Sequence, residues 1–357
     1  MGVRPGSGQR RAQNQALSSL EDVRIGPVMP LLSLLAERGL DSSTVLAEVG
    51  VDLQLFSDPE NRIPMGKLGE LLETCGKRTR CPHFGLLLGH RVRPESLGAL
   101  NSLMRNCATV GEALRLAATH LGVNDRGAIS LVLDVGNSRA ALGYALFGGR
   151  IPAALQILDG AIAMQYRLLS DLCGPSWRPL LIQLSRSRPR NVGPFRKILG
   201  PNLEFNSVLS AIVFESRWLD HPIVGADPAS LAAVSTVIES TEARQANSFA
   251  TQVRRAIYAL LFTDSATAPQ VAHLFNLPER TLRRRLAEEG ATVRGLVSEA
   301  RRELSHHLLR ATDLSMSEIA QALHYADTAV FSRAFHAWSG KSPSQWRARH
   351  VPRRHGQ

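Results

Sequence analysis

The sequence predicts two domains of different fold class: an α+β N-terminal domain joined to an all-α C-terminal domain with two helix-turn-helix motifs. Three observations predict this division. Apolar residues recur with helical spacing from about residue 27 to residue 121. From 129 to 146 they alternate with other residues, which is typical of a β-hairpin. After residue 249 only helical spacing remains, and one helix-turn-helix pattern occurs twice. With 357 residues and 44% hydrophobic content, the chain can bury two cores.

The N-terminal domain is predicted to begin with a helical layer and to continue into an antiparallel sheet with helices on one face. Its predicted helices are 27–39, Ser42–Val49, Met65–Thr79, Pro82–Arg91, Ser96–Cys107, Val110–Leu121, Pro152–Leu172 and Val192–Leu199. Its predicted strands are 129–135, 140–146, Leu180–Leu184, Leu203–Phe205 and Ala211–Phe214. The C-terminal helices are predicted at Phe249–Phe262, Ala268–Phe275, Glu279–Glu288, Val293–Leu309, Met316–Leu323, Ala329–Trp338 and Pro343–Arg349.

Changes in composition suggest the domain boundaries. Residues 1–24 are predicted as a disordered tail, 25–227 as the first domain, 228–248 as a linker of small and polar residues, 249–350 as the helical domain, and 351–357 as a basic tail. The chain start lacks the apolar segment of a signal peptide, and no apolar run is long enough to cross a membrane. We therefore expect a soluble, cytoplasmic protein without a membrane partner.

The duplicated pattern is the most informative feature of the chain. The first copy consists of Val271-Ala272, Asn276 and Leu282-Arg283-Arg284-Arg285-Leu286; the second consists of Ile319-Ala320, His324 and Phe331-Ser332-Arg333-Ala334-Phe335. In each copy a small residue lets two helices approach, and a turn residue that tolerates positive φ follows. An i,i+4 apolar pair then anchors a helix whose outer face carries arginine. Two such units in tandem predict a DNA-binding domain.

The predicted helix between the two copies suggests how they are spaced. Its apolar residues share one face, so the helix can pack against both units: Val293, Leu296, Val297, Ala300, Leu304 and Leu308. Seventeen helical residues form a rod of roughly 25 Å. With the flanking side chains, this rod could hold two recognition helices about one DNA turn apart, on the order of 34 Å.

The charge distribution agrees with a polyanionic partner. The net charge is +11, and the segment 251–357 carries 16 Lys+Arg against 9 Asp+Glu, whereas the remaining 250 residues carry 26 against 22. Basic residues are therefore in greater excess where the repeat lies, which favours nucleic acid as the partner of that segment.

These motifs resemble a known family. The stretches 282–290 and 331–343 resemble the AraC/XylS family of bacterial transcription regulators, the second lying on the family's signature. Upstream, the stretches 30–41, 62–64, 82–86 and 111–114 resemble the arabinose-binding-type effector domain of one branch. The resemblance implies a one-component regulator whose N-terminal domain senses an unknown small-molecule effector or forms a homodimer. Its C-terminal domain would bind double-stranded promoter DNA, more often as an activator that works with RNA polymerase.

The family's base-reading positions fall on six residues of this chain: Arg280, Arg283, Arg284, Thr328, Ser332 and Arg333. Arginine suits this role because its planar fork can bond to O6 and N7 of guanine together. Each arginine could instead bind phosphate or remain solvated. Arg285 falls closer to the buried side, where it is expected to extend along the surface or pair with an acid.

The chain departs from the family at both turns, where glycine is usual. Asn276 and His324 stand there, and both residue types enter the left-handed region more readily than most. On this basis the substitution His324→Gly is expected to stabilise the domain by about 0.5–1 kcal/mol.

Other candidate sites have simpler interpretations. Trp338 and Trp346 are expected to cap a small core rather than to stack on bases. The pair His306-His307 lacks ligand spacing for a metal, and the four cysteines are expected to be buried thiols. Six basic residues could receive an effector carboxylate, although each is more often structural: His83, Arg91, Arg93, His120, Arg126 and Arg150.

Three functions compete on the sequence alone. The first is a ligand-responsive regulator, and the second is an effector-independent dimeric DNA-binding regulator. The third is an enzyme fused to a DNA reader, such as an alkyl-transferring repair protein, which would need a zinc-bound cysteine cluster. The four scattered cysteines do not supply one, and no GxSxG, GxGxxG, P-loop or HExxH motif occurs. We therefore expect no enzyme activity, cofactor or metal.

Overall fold

A computed structural model describes residues 21–147, 151–244, 248–263 and 266–350. The chain divides into two compact units. The first contains the residues up to Gln183 together with Arg190–Glu204 and Leu209–Arg244. The second contains the residues after Gln245 and two short segments, Leu184–Pro189 and Phe205–Val208. The predicted fold classes, α+β followed by all-α, are confirmed.

The first unit begins with the predicted helical layer. Its α-helices are α1 (Pro30–Ala36), α2 (Ser42–Glu48), α3 (Met65–Arg78), α4 (Phe84–Arg91), α5 (Ala99–Arg105), α6 (Val110–Thr119), α7 (Ala154–Cys173), α8 (Gly193–Leu199) and α9 (Pro228–Arg244). Single 3₁₀ turns lie at Gly26–Val28, Leu53–Ser57, Pro94–Leu97, Leu121–Val123 and Ser216–Asp220. The prediction of one helix over Ser96–Cys107 is wrong at its start, because Gly98 adopts φ +57° and separates a 3₁₀ turn from α5.

Seven strands complete the first unit's secondary structure. They are β1 (Asp22–Arg24), β2 (Arg62–Pro64), β3 (Ala128–Asp134), β4 (Arg139–Leu146), β5 (Leu181–Leu184), β6 (Leu203–Phe205) and β7 (Ser210–Glu215). Strands β3 to β7 form one sheet in the order β3-β4-β7-β5-β6, and β3 pairs antiparallel with β4 through the predicted hairpin. Helix α7 packs on β4 and β7. Alternate β4 residues such as Leu142 and Tyr144 therefore share one buried face.

Helices α4 and α7 approach each other unusually closely. A Cβ atom at Gly85 would collide with the carbonyl of Gln156, and one at Gly89 would collide with that of Gly160. Glycine at these positions therefore allows backbone contact between the two helices. This contact positions α7 between the helical layer and the sheet.

The predicted disordered tail is wrong over its last residues. Asp22–Arg24 forms β1, which pairs antiparallel with β2. Asp22 accepts from Arg62 at 2.6 Å and from Arg126 at 3.1 Å, so this acidic residue is held by two guanidinium groups. These partners lie 40 and 104 residues along the chain, beyond the reach of local patterning. Residues 1–20 and the basic tail at 351–357 lie outside the described residues.

The predicted linker also needs correction. Residues Pro228–Arg244 form the 17-residue helix α9, which belongs to the first unit. Its Ile238 is buried, and its Glu242 lies 3.0 Å from Nδ1 of His120. Any linker is therefore confined to the few residues between Arg244 and the next helix.

The second unit is helical throughout its described C-terminal part. Its helices are α10 (Phe249–Leu261), α11 (Ala268–Leu274), α12 (Glu279–Glu288), α13 (Val293–Ala311), α14 (Met316–Ala322), α15 (Thr328–Ser339) and α16 (Pro343–His350). All seven predicted helices are confirmed, with ends that differ by at most two residues. The agreement follows from strong local signals, such as the Ser315–Glu318 capping box that begins α14.

The four cysteines are buried free thiols, as predicted: Cys75, Cys81, Cys107 and Cys173. Burial raises the pKa of Cys75 and of Cys173 to about 12 and that of Cys107 to about 11, so these three thiols are protonated at neutral pH. Within the described part of the chain, no helix is long and apolar enough to cross a membrane.

The contact between His120 and α9 predicts a pH dependence of stability. The hydrogen bond to Glu242 raises the pKa of His120 above its ordinary value. The stabilisation is therefore complete below the unfolded-state pKa of about 6.5 and is lost as pH rises through the folded-state pKa. The variant His120→Gln keeps a hydrogen-bond donor at this position, but its side chain does not titrate in this pH range. The difference in melting temperature between wild type and variant should decrease from pH 6 to pH 8; a pH-independent difference would contradict this assignment.

Candidate nucleic-acid interface and ligand cavity

The first helix-turn-helix motif consists of α11, a turn and α12. Val271 and Ala272 of α11 are buried, and so are Leu282 and Leu286 of α12. The i,i+4 pair on α12 therefore faces inward, as predicted, and the opposite face of that helix is solvent-exposed. The Glu289 carboxylate, just beyond α12, accepts hydrogen bonds from the amides of Phe249 and Ala250 and so fixes α12 to the start of α10.

The second motif repeats this arrangement in α14 and α15. Ile319 and Ala320 are buried on α14, and Phe331 and Phe335 are buried on α15. The Asp327 carboxylate caps α15 by accepting from the amide of Val330 at 2.7 Å. Trp346 is buried in the same core, and Trp338 packs against it partly exposed. Both tryptophans therefore belong to the core, as predicted.

The connecting helix α13 is buried at two places along its length. Val293, Leu296 and Ala300 are buried near its start. Leu304 and Leu308, one to two turns later, are buried in the cluster that contains Phe331 and Phe335. Nineteen residues correspond to a rod of about 28 Å. One uninterrupted helix thus buries side chains near its start, where it packs on α10, and farther along in the core of the second motif.

A buried polar contact fixes α10 against α13. The Glu303 carboxylate accepts from Nη2 of Arg254 at 2.6 Å and from the hydroxyl of Tyr258. Tyr258 is almost fully buried, and the Arg254 and Glu303 side chains are 11% and 15% exposed. Removing either partner would leave buried charge or polarity unsatisfied, so this contact specifies the position of α10.

The two turns have the backbone conformation that the sequence predicts. Asn276 has φ +49° and His324 has φ +55°. The side chain of His324 also makes a contact that the sequence does not reveal, because its Nε2 lies 2.8 Å from the carbonyl oxygen of Leu261 at the end of α10. Asn276 is exposed. Only the second turn is therefore joined to α10 by a side-chain hydrogen bond of its turn residue.

The predicted base-reading residues of the first motif lie on the exposed side of α12. Arg280, Arg283 and Arg284 are all exposed, the last two by 69% and 72%. Arg283 donates to Glu279 at 2.6 Å, and Arg284 lies 3.8 Å from Glu288. Surface pairs of this kind contribute little to stability, so they leave both arginines available to a polyanion.

The predicted residues of the second motif lie along α15. Thr328 is its first residue and is half-buried, as is Ser332, whereas Arg333 is exposed. Among the six predicted residues, the second recognition helix therefore offers one exposed arginine where the first offers three. On α12, Arg285 is exposed as well, and its guanidinium lies 5.5 Å from the centre of the Phe249 ring.

Both recognition helices border one groove of about 830 Å³. Its lining includes Arg283 and Ala287 of α12 and Ala334 and Trp338 of α15. The connecting helix α13 contributes residues from Val293 to Arg301. Side chains of both recognition helices and of α13 therefore meet at one groove.

His306, one of the two adjacent histidines on α13, serves packing. Its ring lies 5.0 Å from that of Phe335 and 4.7 Å from that of Trp346. Burial lowers the pKa of His306 to about 4, so the ring is neutral at pH 7.

The first unit contains a cavity of about 130 Å³. It lies among α3 to α7 and the face of the sheet that carries Leu142 and Tyr144. Most of its wall is leucine, methionine, valine and isoleucine, with a small polar area around Asn124 and Gln165. Among the residues that the structure describes, its lining contains no arginine, lysine or histidine.

None of the described basic residues that could receive a carboxylate lines the cavity. Arg91 is paired with Glu37 at 2.6 Å, Arg126 with Asp22, and His120 with Glu242. His83 and Arg93 do not line the cavity either, and Arg150 lies outside the described residues. The acidic partners of Arg91, Arg126 and His120 are distant in sequence. The sequence alone therefore could not show that these basic side chains are already paired.

Two helix-turn-helix motifs on one rigid helix define a class of DNA-binding protein, and comparison with known proteins identifies the family. The profile described as "Arabinose-binding domain of AraC transcription regulator, N-term" matches residues 39–223, and a "Helix-turn-helix domain" profile matches 271–349. The chain belongs to the AraC family of transcription regulators and is a DNA-binding regulator of transcription.

Relatives match over nearly their full length. The ornithine utilization regulator of Pseudomonas aeruginosa is 26% identical over 89% of this chain and 94% of its own. The transcriptional regulator VirS of Mycobacterium tuberculosis is 26% identical over 88% of this chain and 93% of its own. The solved structure of the regulator CdpR from Pseudomonas aeruginosa is 23% identical, covers 85% of this chain and 96% of that one, and has a TM-score of 0.44.

The His324 hydrogen bond reverses the expected effect of glycine at the second turn. His324→Gly removes the strain of a non-glycine residue in the left-handed region, which stabilises the fold by about 1 kcal/mol. It also leaves the Leu261 carbonyl without this hydrogen-bond partner, which costs about 1–3 kcal/mol. We expect net destabilisation of about 1 kcal/mol in chemical unfolding. Asn276→Gly is the matched control and should be neutral or slightly stabilising. Stabilisation by His324→Gly as large as that by Asn276→Gly would show that the hydrogen bond contributes nothing.

Proposed function

We propose that this regulator is a ligand-responsive activator whose two motifs read two successive major grooves of promoter DNA. The observation that carries the DNA part is the common groove lined by residues of α12, α13 and α15. Two recognition helices joined by a 19-residue rod can enter adjacent turns of a duplex from the same face. A monomer would then cover one composite site, and formation of a homodimer would pair two of them.

We assign base reading to the six residues that the family resemblance suggested. Arg280, Arg283 and Arg284 would read the half-site under α12, and Thr328, Ser332 and Arg333 would read the half-site under α15. Their exposure supports this assignment for the four arginines. Because α12 carries more of the cations, it would contribute more of the electrostatic affinity for DNA. Helix α15 would contact DNA more through the hydroxyl groups of Thr328 and Ser332.

The cavity of the first unit supports the ligand-responsive part of the proposal. A natural core seldom leaves an open space of this size, because the missing contacts reduce stability. Activation through RNA polymerase rests on the family resemblance alone. Thermal-shift screening separates this function from that of an effector-independent dimeric regulator, because an effector stabilises the folded protein by RT ln(1+[L]/Kd). If none of a broad set of small molecules raises the melting temperature, the effector-independent function is favoured.

The two-groove proposal predicts a division of labour between the motifs. Arg284→Ala and Arg333→Ala should each cost about 1–3 kcal/mol in DNA binding and relax sequence preference only in their own half-site. Selection of sites from a random DNA pool with each variant measures this directly. Arg78→Ala, which removes one exposed charge of the first unit, is the control and should leave the selected sequence unchanged.

The same experiment separates base contacts from phosphate contacts. An arginine that binds only phosphate would weaken all sequences alike and reduce the slope of affinity against salt by about one. Loss of information at the same positions in both variants, or at none, would contradict reading by two separate motifs.

A further inference from the structure

The polar area of the cavity in the first unit has a definite hydrogen-bonding character. Asn124 is 3% exposed, and its Nδ2 donates to the carbonyl oxygen of Leu97 at 3.1 Å. A carbonyl can only accept, so this bond fixes the orientation of the amide. The Asn124 Oδ1 atom is buried without a hydrogen-bond partner.

Gln165 presents the same situation from α7. Its Nε2 donates to the hydroxyl oxygen of Ser130 at 3.2 Å, and that hydroxyl donates its own proton to the carbonyl of Gly143 at 3.3 Å. The chain of bonds again fixes the amide, since the Ser130 oxygen must act as acceptor toward Gln165. The Gln165 Oε1 atom is left buried without a partner, and the residue is 5% exposed.

The polar side chains next to these two amides already have hydrogen-bond partners within the protein. The hydroxyl of Tyr144 donates to the Asp125 carboxylate, which also accepts from the amide of Gly127 at 2.8 Å. In the described part of the chain, the lining side-chain atoms that lack a partner are therefore two amide oxygens, both acceptors. Each costs about 1–3 kcal/mol while unsatisfied, so a ligand that donates hydrogen bonds would recover this free energy.

We propose that the cavity binds a small, neutral, mostly apolar alcohol or phenol whose hydroxyl donates its one proton to Gln165 Oε1. This inference rests on the proposed ligand-responsive function and names the chemical class of the effector. A carboxylate has no proton to donate and would meet acceptor oxygens in an apolar space. A sugar such as arabinose would bury several hydroxyls against leucine and methionine side chains without partners.

The cavity volume limits the ligand to about one ring. An apolar cavity of roughly 150 Å³ is large enough for benzene. The cavity here is about 130 Å³. The space is therefore of the order of one ring, and the ring of a monocyclic phenol would contact side chains such as Leu142 and Leu168.

The test uses the full-length protein and four probes. These are 4-methylphenol, the isosteric 1,4-dimethylbenzene, 4-methylbenzoate and L-arabinose, measured by calorimetry and thermal shift. We expect 4-methylphenol to bind about tenfold or more tighter than 1,4-dimethylbenzene, because one buried hydrogen bond separates them. The carboxylate and the sugar should not raise the melting temperature. Tighter binding of either one, or no binding of 4-methylphenol, would overturn the proposal.

Two sets of variants locate the binding. Ala117 of α6 lines the cavity, whereas the adjacent Ala118 does not, so Ala117→Phe should abolish binding and Ala118→Phe should preserve it. Gln165→Leu should reduce the preference for 4-methylphenol over 1,4-dimethylbenzene by about tenfold. Met164→Leu, a change in the apolar wall, should keep that preference. If the phenylalanine variant does not fold, the change in preference at Gln165 still decides the matter, and an unchanged preference would overturn the proposal.

Parallel measurement of DNA affinity separates this proposal from the function on which it rests. If 4-methylphenol binds as predicted but leaves the affinity for a selected DNA site unchanged, the ligand class stands and ligand-responsive regulation fails. If the carboxylate or the sugar binds and changes DNA affinity, regulation by a ligand stands and the proposed ligand class is wrong.

Discussion

The second unit depends on the burial of one continuous helix at two places along its length. Near its start Val293, Leu296 and Ala300 of α13 are buried and the helix packs on α10, and farther along Leu304 and Leu308 pack with the second motif. A proline in the middle of this helix would break it, whereas the uninterrupted backbone hydrogen bonds make it a spacer of fixed length. The relative position of the two recognition helices, and with it any recognition of a composite DNA site, follows from this constraint.

Helix α10 adds contacts at three places along the same unit. Glu289 caps its first turn, Glu303 binds Tyr258 and Arg254 in its middle, and His324 binds the carbonyl of Leu261 at its end. These bonds come from the end of α12, from α13 and from the turn of the second motif. The two motifs are therefore joined by α10 as well as by α13, which explains why a histidine can replace glycine at a strained turn.

Sequence reasoning succeeded where the signals were local. The apolar pairs Leu282/Leu286 and Phe331/Phe335 fixed both recognition helices, and the positive φ at Asn276 and His324 followed from their place after a short helix. Features that depend on distant partners were not predictable. The strand β1, the helix α9 and the His324 hydrogen bond each require a residue at least 40 positions away.

The ligand cavity shows the same limit more sharply. Residue type pointed to arginines and histidines, but three of these are neutralised by distant acids. The informative groups are two amides, Asn124 and Gln165, and a sequence cannot show which side-chain oxygens lack partners. The base-reading residues remain a prediction, because exposure is compatible with contacts to bases, to phosphate or to water.

The most direct test of the central claim is DNA affinity as a function of the spacing between the two half-sites. A site selected by the intact protein would be compared with versions that contain 5 or 10 additional base pairs between the halves. A rigid α13 predicts that both insertions reduce affinity by at least about tenfold, because the second motif no longer reaches its half-site. Recovery of full affinity at 10 base pairs, or no loss at either spacing, would contradict the claim that α13 holds the two motifs at a fixed distance.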